Sequence, residues 1–151
     1  MKPSDFLTRI TATFFYVGYL PFVPGTFGSI AGLALYFFLK ADIILYLSVL
    51  LLIVFLGFIS CGRAEKTFGI RDPKYAVIDE VAGMLISLAF LPYDIKWVVS
   101  GFLLFRLIDT IKPFPANRFQ RMHGSLGIMG DDIVAGIYSN IVLQVVLRLA
   151  S

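Results

Sequence analysis

The sequence predicts an all-α, multi-spanning membrane bundle of four to five transmembrane segments, preceded by an N-terminal interfacial helix. Three observations predict it. First, the 151 residues are 58% hydrophobic and only 15% charged, with a mean hydropathy of +0.86, whereas a soluble domain carries roughly a quarter charged residues. Second, apolar runs follow one another with short polar breaks between them. Third, the basic residues collect in alternate loops. The length suits one domain over residues 1–151.

Residues 4–18 read as the interfacial helix, with Ser4 as N-cap and Asp5 in the first turn. Leu7, Ile10, Phe14 and Phe15 share one face of it. Pro21 and Pro24 break the chain. The apolar stretch 26–39 is short for a crossing and suits a re-entrant or thin-bilayer helix. Gly25, Gly28, Ser29 and Gly32 at its start permit close backbone approach. A full-length run covers 43–60, and a polar loop 61–75 contains Arg63, Lys66, Arg71 and Lys74. Further runs cover 76–91 and 96–111, with Pro92-Tyr93-Asp94 between them. A second basic loop, 112–130, holds Lys112, Arg118, Arg121 and His123, and a last run covers 131–149.

Both long loops, with Lys2 and Arg9, fall on one side, and Lys40, Lys96 and Arg148 on the other. The positive-inside rule makes the basic side cytoplasmic. The polar start Met1-Lys2-Pro3-Ser4-Asp5, with no small-residue cleavage site after a short apolar core, does not read as a cleavable signal. Cys61 is the single cysteine, which excludes an intramolecular disulfide and a thiolate zinc site. The net charge of +3 is mild, and no nucleic-acid partner is expected.

Ionisable residues in membrane segments are costly and usually functional. Here they converge. Asp79 and Glu80 lie one turn into one run. Arg106 and Asp109, spaced i,i+3, end another on one helical face. Asp131 and Asp132 open the last run, and Gly25 and Thr26 the short one. A short internal echo links two of these places: Asp79-Glu80-Val81-Ala82-Gly83 resembles Asp131-Asp132-Ile133-Val134-Ala135-Gly136. A glycine one turn from Asp79 and from Asp132 would let two helices approach until their carboxylates share a cation. Carboxylates gathered without His or Cys favour a hard ion, Mg²⁺ or Mn²⁺. Such a site takes an anionic substrate, most often a phosphate. Arg106 and Lys112 beside the acids suit it, as do Thr26 and Ser29 at a helix start.

Blander readings stand beside these. Asp131 opens a run and suits an N-cap. Arg106 and Asp109 form an ion pair at that spacing, His123 is a solvated loop residue, and Asp72-Pro73 is a turn signal. Several phosphatase chemistries are excluded outright. One histidine is too few for a histidine phosphatase. Cys-x5-Arg fails because Thr67 occupies the arginine position. Asp-x-Asp and the P-loop are absent. Metal-assisted attack by water, or a carboxylate nucleophile, remains.

Four blocks resemble the bacterial phosphatidylglycerophosphatase A family: Gly25-Thr-Phe-Gly-Ser29; Asp72 with Val77-Ile-Asp79-Glu80-Val-Ala-Gly83; Arg106-Leu-Ile-Asp109-Thr-Ile-Lys112-Pro-Phe-Pro115; and Gly127-Ile-Met-Gly-Asp131-Asp132-Ile-Val-Ala-Gly136. They cover most of the chain from residue 25 onward. Ser125 stands where many members have glycine. The resemblance implies a Mg²⁺-dependent, multi-pass enzyme of the bacterial inner membrane. It would remove the terminal phosphate of phosphatidylglycerophosphate to give phosphatidylglycerol, with its active site facing the cytoplasm. Carried over, it points to Thr26, Asp72, Asp79, Glu80, Arg106, Asp109, Lys112, Asp131 and Asp132. Asp79, Glu80, Asp131 and Asp132 are then the expected metal ligands, with Asp109 a further ligand or the general base. Arg106 and Lys112 neutralise phosphoryl oxygens.

The rival class is a cation or proton transporter built on the same acids. Its ion site is expected near the midplane with access from both sides, whereas these acids crowd one face. An enzyme joining lipid and alcohol phosphates would need widely spaced aspartates with an Ala-Arg step, which is absent. A non-catalytic lipid-binding subunit would tolerate loss of the acids.

Overall fold

The computed structural model describes residues 3–150, so Lys2 lies outside the described residues. Among these it consists of seven α-helices with no strand. Helix α1 (Pro3–Ala12) is followed by a 3₁₀ turn at Val17–Tyr19, then α2 (Pro24–Leu39), α3 (Ile43–Phe68), α4 (Ile78–Leu88), α5 (Ile95–Ile111), the short α6 (Ala116–Phe119) and α7 (Ser125–Ala150).

Local chemistry sets most of these boundaries. Pro24 occupies the first helical position of α2, where its missing N–H costs nothing. The Asp42 carboxylate accepts from the Ile44 and Leu45 amides and so caps α3. Asp94 caps α5 in the same way through the Lys96 amide. Gly69, at φ +72°, ends α3 in the left-handed region that glycine enters without strain.

Several boundaries depart from the sequence reading. Ser4 lies inside α1 and does not cap it, and the helix stops at Ala12. The segment 61–68, read as loop, forms the last two turns of α3. Arg63, Glu65 and Lys66 made those turns look like loop, yet hydropathy reports surroundings and not helicity. Likewise α7 begins at Ser125, so Asp131 sits nearly two turns inside the helix and is not its N-cap.

Among the described residues only α3 and α7 are long and apolar enough to cross a membrane. Each has 26 residues and is about 39 Å long. Helix α4 has 11 residues, about 16 Å, well short of a hydrocarbon core of roughly 30 Å. Much of the run 76–91 is apolar because α4 is enclosed by protein: Val81, Ala82, Met84, Leu85 and Leu88 are all buried. A helix apolar on every side belongs at the centre of a bundle, and α4 contacts α2, α3, α5 and α7.

The glycines bring α4's neighbours close. An added Cβ at Gly28 would stand 2.9 Å from the Val77 oxygen, and one at Gly32 2.9 Å from the Val81 oxygen. Helix α2 therefore lies directly on α4 through the small-residue stripe read in the sequence. The start of α4 is anchored by the Val77 amide, which donates to the Ala12 carbonyl at 2.8 Å. Asp79 and Glu80 follow at once in the first turn.

Candidate active site

The starts of α2 and α4, the first two turns of α7, the end of α5 and the loop before α4 gather at one end of the bundle, around a cavity of about 380 Å³. Its wall contains Thr26, Asp72, Asp79, Glu80, Arg106, Asp109, Lys112, Asp131 and Asp132. Every site residue expected from the sequence except Ser29 is brought together there. The Ser29 hydroxyl is fully buried and donates to the Gly25 carbonyl at 3.0 Å, so it does not face the cavity. The Thr26 amide is also engaged, donating to the Val23 carbonyl at 3.0 Å. Thr26 therefore brings no free N–H to the cavity wall.

The acids divide into two groups. Asp79, Glu80 and Asp132 each present a carboxylate oxygen within 4.8 Å of the others. Asp79 Oδ1, Glu80 Oε2 and Asp132 Oδ2 are buried without a hydrogen-bond partner among the described residues. Asp131 and Asp109 are neutralised instead. The Lys112 ammonium donates to Asp131 Oδ2 and lies 3.9 Å from Asp109 Oδ1, while Arg106 Nη1 donates to Asp109 Oδ2 at 2.7 Å. The ion pair expected at the Arg106–Asp109 spacing is thus present, and it lines the cavity. Burial pulls the Lys112 ammonium down, but the bond to Asp131 and the nearby carboxylates outweigh it and hold the group above its ordinary value.

Convergence of α4 and α7 depends on the paired glycines. An added Cβ at Gly83 would lie 2.8 Å from the Asp132 carbonyl, and one at Gly136 2.5 Å from the Gly83 carbonyl. The sequence echo therefore marks a helix crossing. On the opposite wall a Cβ at Gly25 would meet Glu80 Oε1 at 2.5 Å, so α2 begins directly over the acids. Phe22, Asp72 and Lys112 line the cavity with φ of 78°, 47° and 48°. Such strained backbone concentrates at ligand sites.

The three unpartnered oxygens fit a divalent cation. Carboxylates within one short span repel one another, and one oxygen on each of these three lacks the donor that would offset its desolvation. Oxygen donors alone are the set that a hard cation takes. Two polar cavity residues lie outside the sequence reading of the site, Lys74 and Thr110. Lys74 was visible only as a loop charge, and Thr110 donates its hydroxyl to the Arg106 carbonyl at 2.7 Å.

Fold and site together define an all-helical protein with two helices able to cross a membrane, carrying a carboxylate cluster flanked by cations. The family model for phosphatidylglycerophosphatase A matches residues 10–147. The chain belongs to the phosphatidylglycerophosphatase A family and is an enzyme, a phosphoric monoester hydrolase. It is 41% identical over 136 residues to the phosphatidylglycerophosphatase A of Escherichia coli, covering 87% of this chain and 78% of that protein. With the protein of the same name from Haemophilus influenzae it shares 35% identity over 139 residues, 89% of this chain and 85% of the other. A Bacteroides thetaiotaomicron protein named "Putative phosphatidylinositol-3-phosphatase" is 36% identical over 154 residues, 96% of each chain. No solved structure gives a significant match.

Proposed function

We propose that the chain is a Mg²⁺-dependent phosphatase that removes the terminal phosphate of phosphatidylglycerophosphate, giving phosphatidylglycerol. The observation that carries this reading is the trio of buried, unpartnered oxygens on Asp79, Glu80 and Asp132, set in a cavity whose wall also holds Arg106 and Lys112. The names of the Escherichia coli and Haemophilus influenzae relatives support the choice of lipid.

Asp79, Glu80 and Asp132 are the residues that would hold Mg²⁺. When bound, the ion supplies neutralisation of phosphoryl charge and activation of water. The chain's own part is to bind and orient. Arg106 presents a planar fork to phosphoryl oxygens and Lys112 a point charge. Asp109 and Asp131 position those two cations through the bonds already described. The Thr26 hydroxyl stands ready as a further donor, and Asp72 closes the cavity from the loop before α4.

Helices α3 and α7 would cross the bilayer, with α2 and α5 inserting alongside. The basic end, which carries the site, would face the cytoplasm, on the positive-inside argument. A bacterial inner membrane is the setting this implies. A second lipid is favoured by one comparison, since the Bacteroides relative, aligned over 96% of both chains, is named for a phosphorylated inositol lipid.

The test is phosphate release from phosphatidylglycerophosphate and from phosphatidylinositol 3-phosphate by detergent-purified protein, with Mg²⁺ and then with excess chelator. Faster release from the glycerol lipid, stopped by chelator, is expected. Release that persists in chelator would overturn the metal. Preference for the inositol lipid would overturn the substrate.

A further inference from the structure

A second cavity of about 410 Å³ adjoins the first, and the two share Phe22, Pro24, Asp72 and Lys74. The second is otherwise walled by the exposed apolar turn around Leu20 and Pro21 and by Tyr19 and Tyr75, whose rings lie 5.1 Å apart. Phe22, at the junction, is 94% exposed. An exposed aromatic and apolar rim beside a polar trough is what a lipid headgroup site requires: chains along the rim, headgroup in the trough.

Charge in this trough is unevenly committed. Arg106 and Lys112 are paired with Asp109 and Asp131. Arg71, in the second cavity, donates to the Arg121 carbonyl at 2.7 Å. Lys74 lines both cavities, is exposed, and takes part in none of the ion pairs found among the described residues. Asp72 shares its wall without pairing with it. Among the described residues Lys74 thus stands without an ion-pair partner beside the acid cluster, on the side from which a headgroup would enter.

We infer that Lys74 holds a second anion of the substrate, the phosphodiester that joins headgroup to diacylglycerol, while the terminal phosphomonoester occupies the cavity of the acids. The inference rests on the phosphatase reading above and sharpens its substrate class to glycerophospholipids carrying both a phosphodiester and a terminal monoester. Lys74 is a specificity residue here and takes no part in the chemistry at the monoester.

The test is Lys74→Met and Lys74→Arg in mixed micelles, with folding checked by thermal unfolding. Turnover of phosphatidylglycerophosphate is measured with two inhibitors: phosphatidylglycerol, which has the phosphodiester alone, and inorganic phosphate. In Lys74→Met, the KM and the inhibition constant for phosphatidylglycerol rise together, on the order of tenfold for one lost charge-assisted contact. The constant for inorganic phosphate and kcat move far less, and Lys74→Arg recovers most of the loss. A rise in the inorganic phosphate constant instead would place Lys74 on the terminal phosphate and overturn the inference. So would unchanged constants, or wild-type protein that phosphatidylglycerol does not inhibit. Wild-type protein releasing no phosphate would overturn the phosphatase reading itself.

Discussion

Gly136 lies against Gly83 so closely that a Cβ added to it would stand 2.5 Å from the Gly83 carbonyl oxygen. That contact sets the separation of α4 and α7, and with it the distance between Asp79 and Glu80 on one helix and Asp132 on the other. The carboxylate cluster exists because two helices without side chains at this point can touch.

Gly136→Val should therefore disable the enzyme without altering any polar group. Overpacking typically costs about 1–3 kcal/mol, and here the obstacle is backbone, which cannot rotate aside. Thermal unfolding in detergent should show the loss, and phosphate release should fall in the fraction that remains folded. Gly62→Ala is the control, since its nearest neighbour would be 3.7 Å away. Equal effects of the two changes would contradict the crossing argument.

Asp132→Asn should reduce phosphate release by roughly a thousandfold, the scale on which removal of a key charge-stabilising group acts. It should leave metal-free protein at least as stable as wild type, because it removes one of three mutually repelling carboxylates. Wild-type protein should gain about 2.7 kcal/mol with Mg²⁺ at one hundred times its dissociation constant. The variant should lose most of that gain. Titration of the unfolding temperature with Mg²⁺ reads this without any turnover.

Lys112→Ala should be more damaging than the double change Lys112→Met, Asp131→Leu. The single change strands Asp131, only 5% exposed, without its donor. Breaking a fully buried pair costs about 3–5 kcal/mol, and the partial exposure of Lys112 reduces this to roughly 2 kcal/mol. Replacing both partners by apolar groups removes the stranded charge. A double-mutant cycle from Lys112→Met, Asp131→Leu and their combination, read as unfolding free energy in detergent, should give a coupling of that size.

Leu51→Asp should impair membrane integration while sparing the cavity, because Leu51 is 70% exposed on α3 and lies outside the site. An acid at the centre of a spanning helix costs about 2.5–3.5 kcal/mol on insertion scales. Carbonate extraction of membranes should release the variant and retain wild type. Full retention would argue that α3 is not a crossing helix.

Much of the cavity's polar lining is legible in the sequence alone. Adjacent acids in apolar runs are conspicuous because their cost is high and their number small, so Asp79, Glu80, Asp109, Asp131 and Asp132 stood out. Lys74 did not, because a lysine in a basic loop looks the same whether it meets solvent or a cavity. Ser29 lies near a helix start and so reads as a site residue, but its hydroxyl bonds back to the Gly25 carbonyl one turn earlier.

The sequence by itself determined the helical class, the acids that meet in the cavity, and the glycines that let helices meet. Those follow from composition, from the cost of charge in apolar surroundings and from the absence of a Cβ, and none needs a partner. Only the tertiary structure decided which carboxylates are left without donors, because that depends on Lys112 reaching Asp131 across 19 positions of chain. It likewise revealed that α4 is apolar through enclosure by protein. Hydropathy records that a segment avoids water and is silent on what replaces the water, so a buried helix and a membrane span read alike until their neighbours are in place.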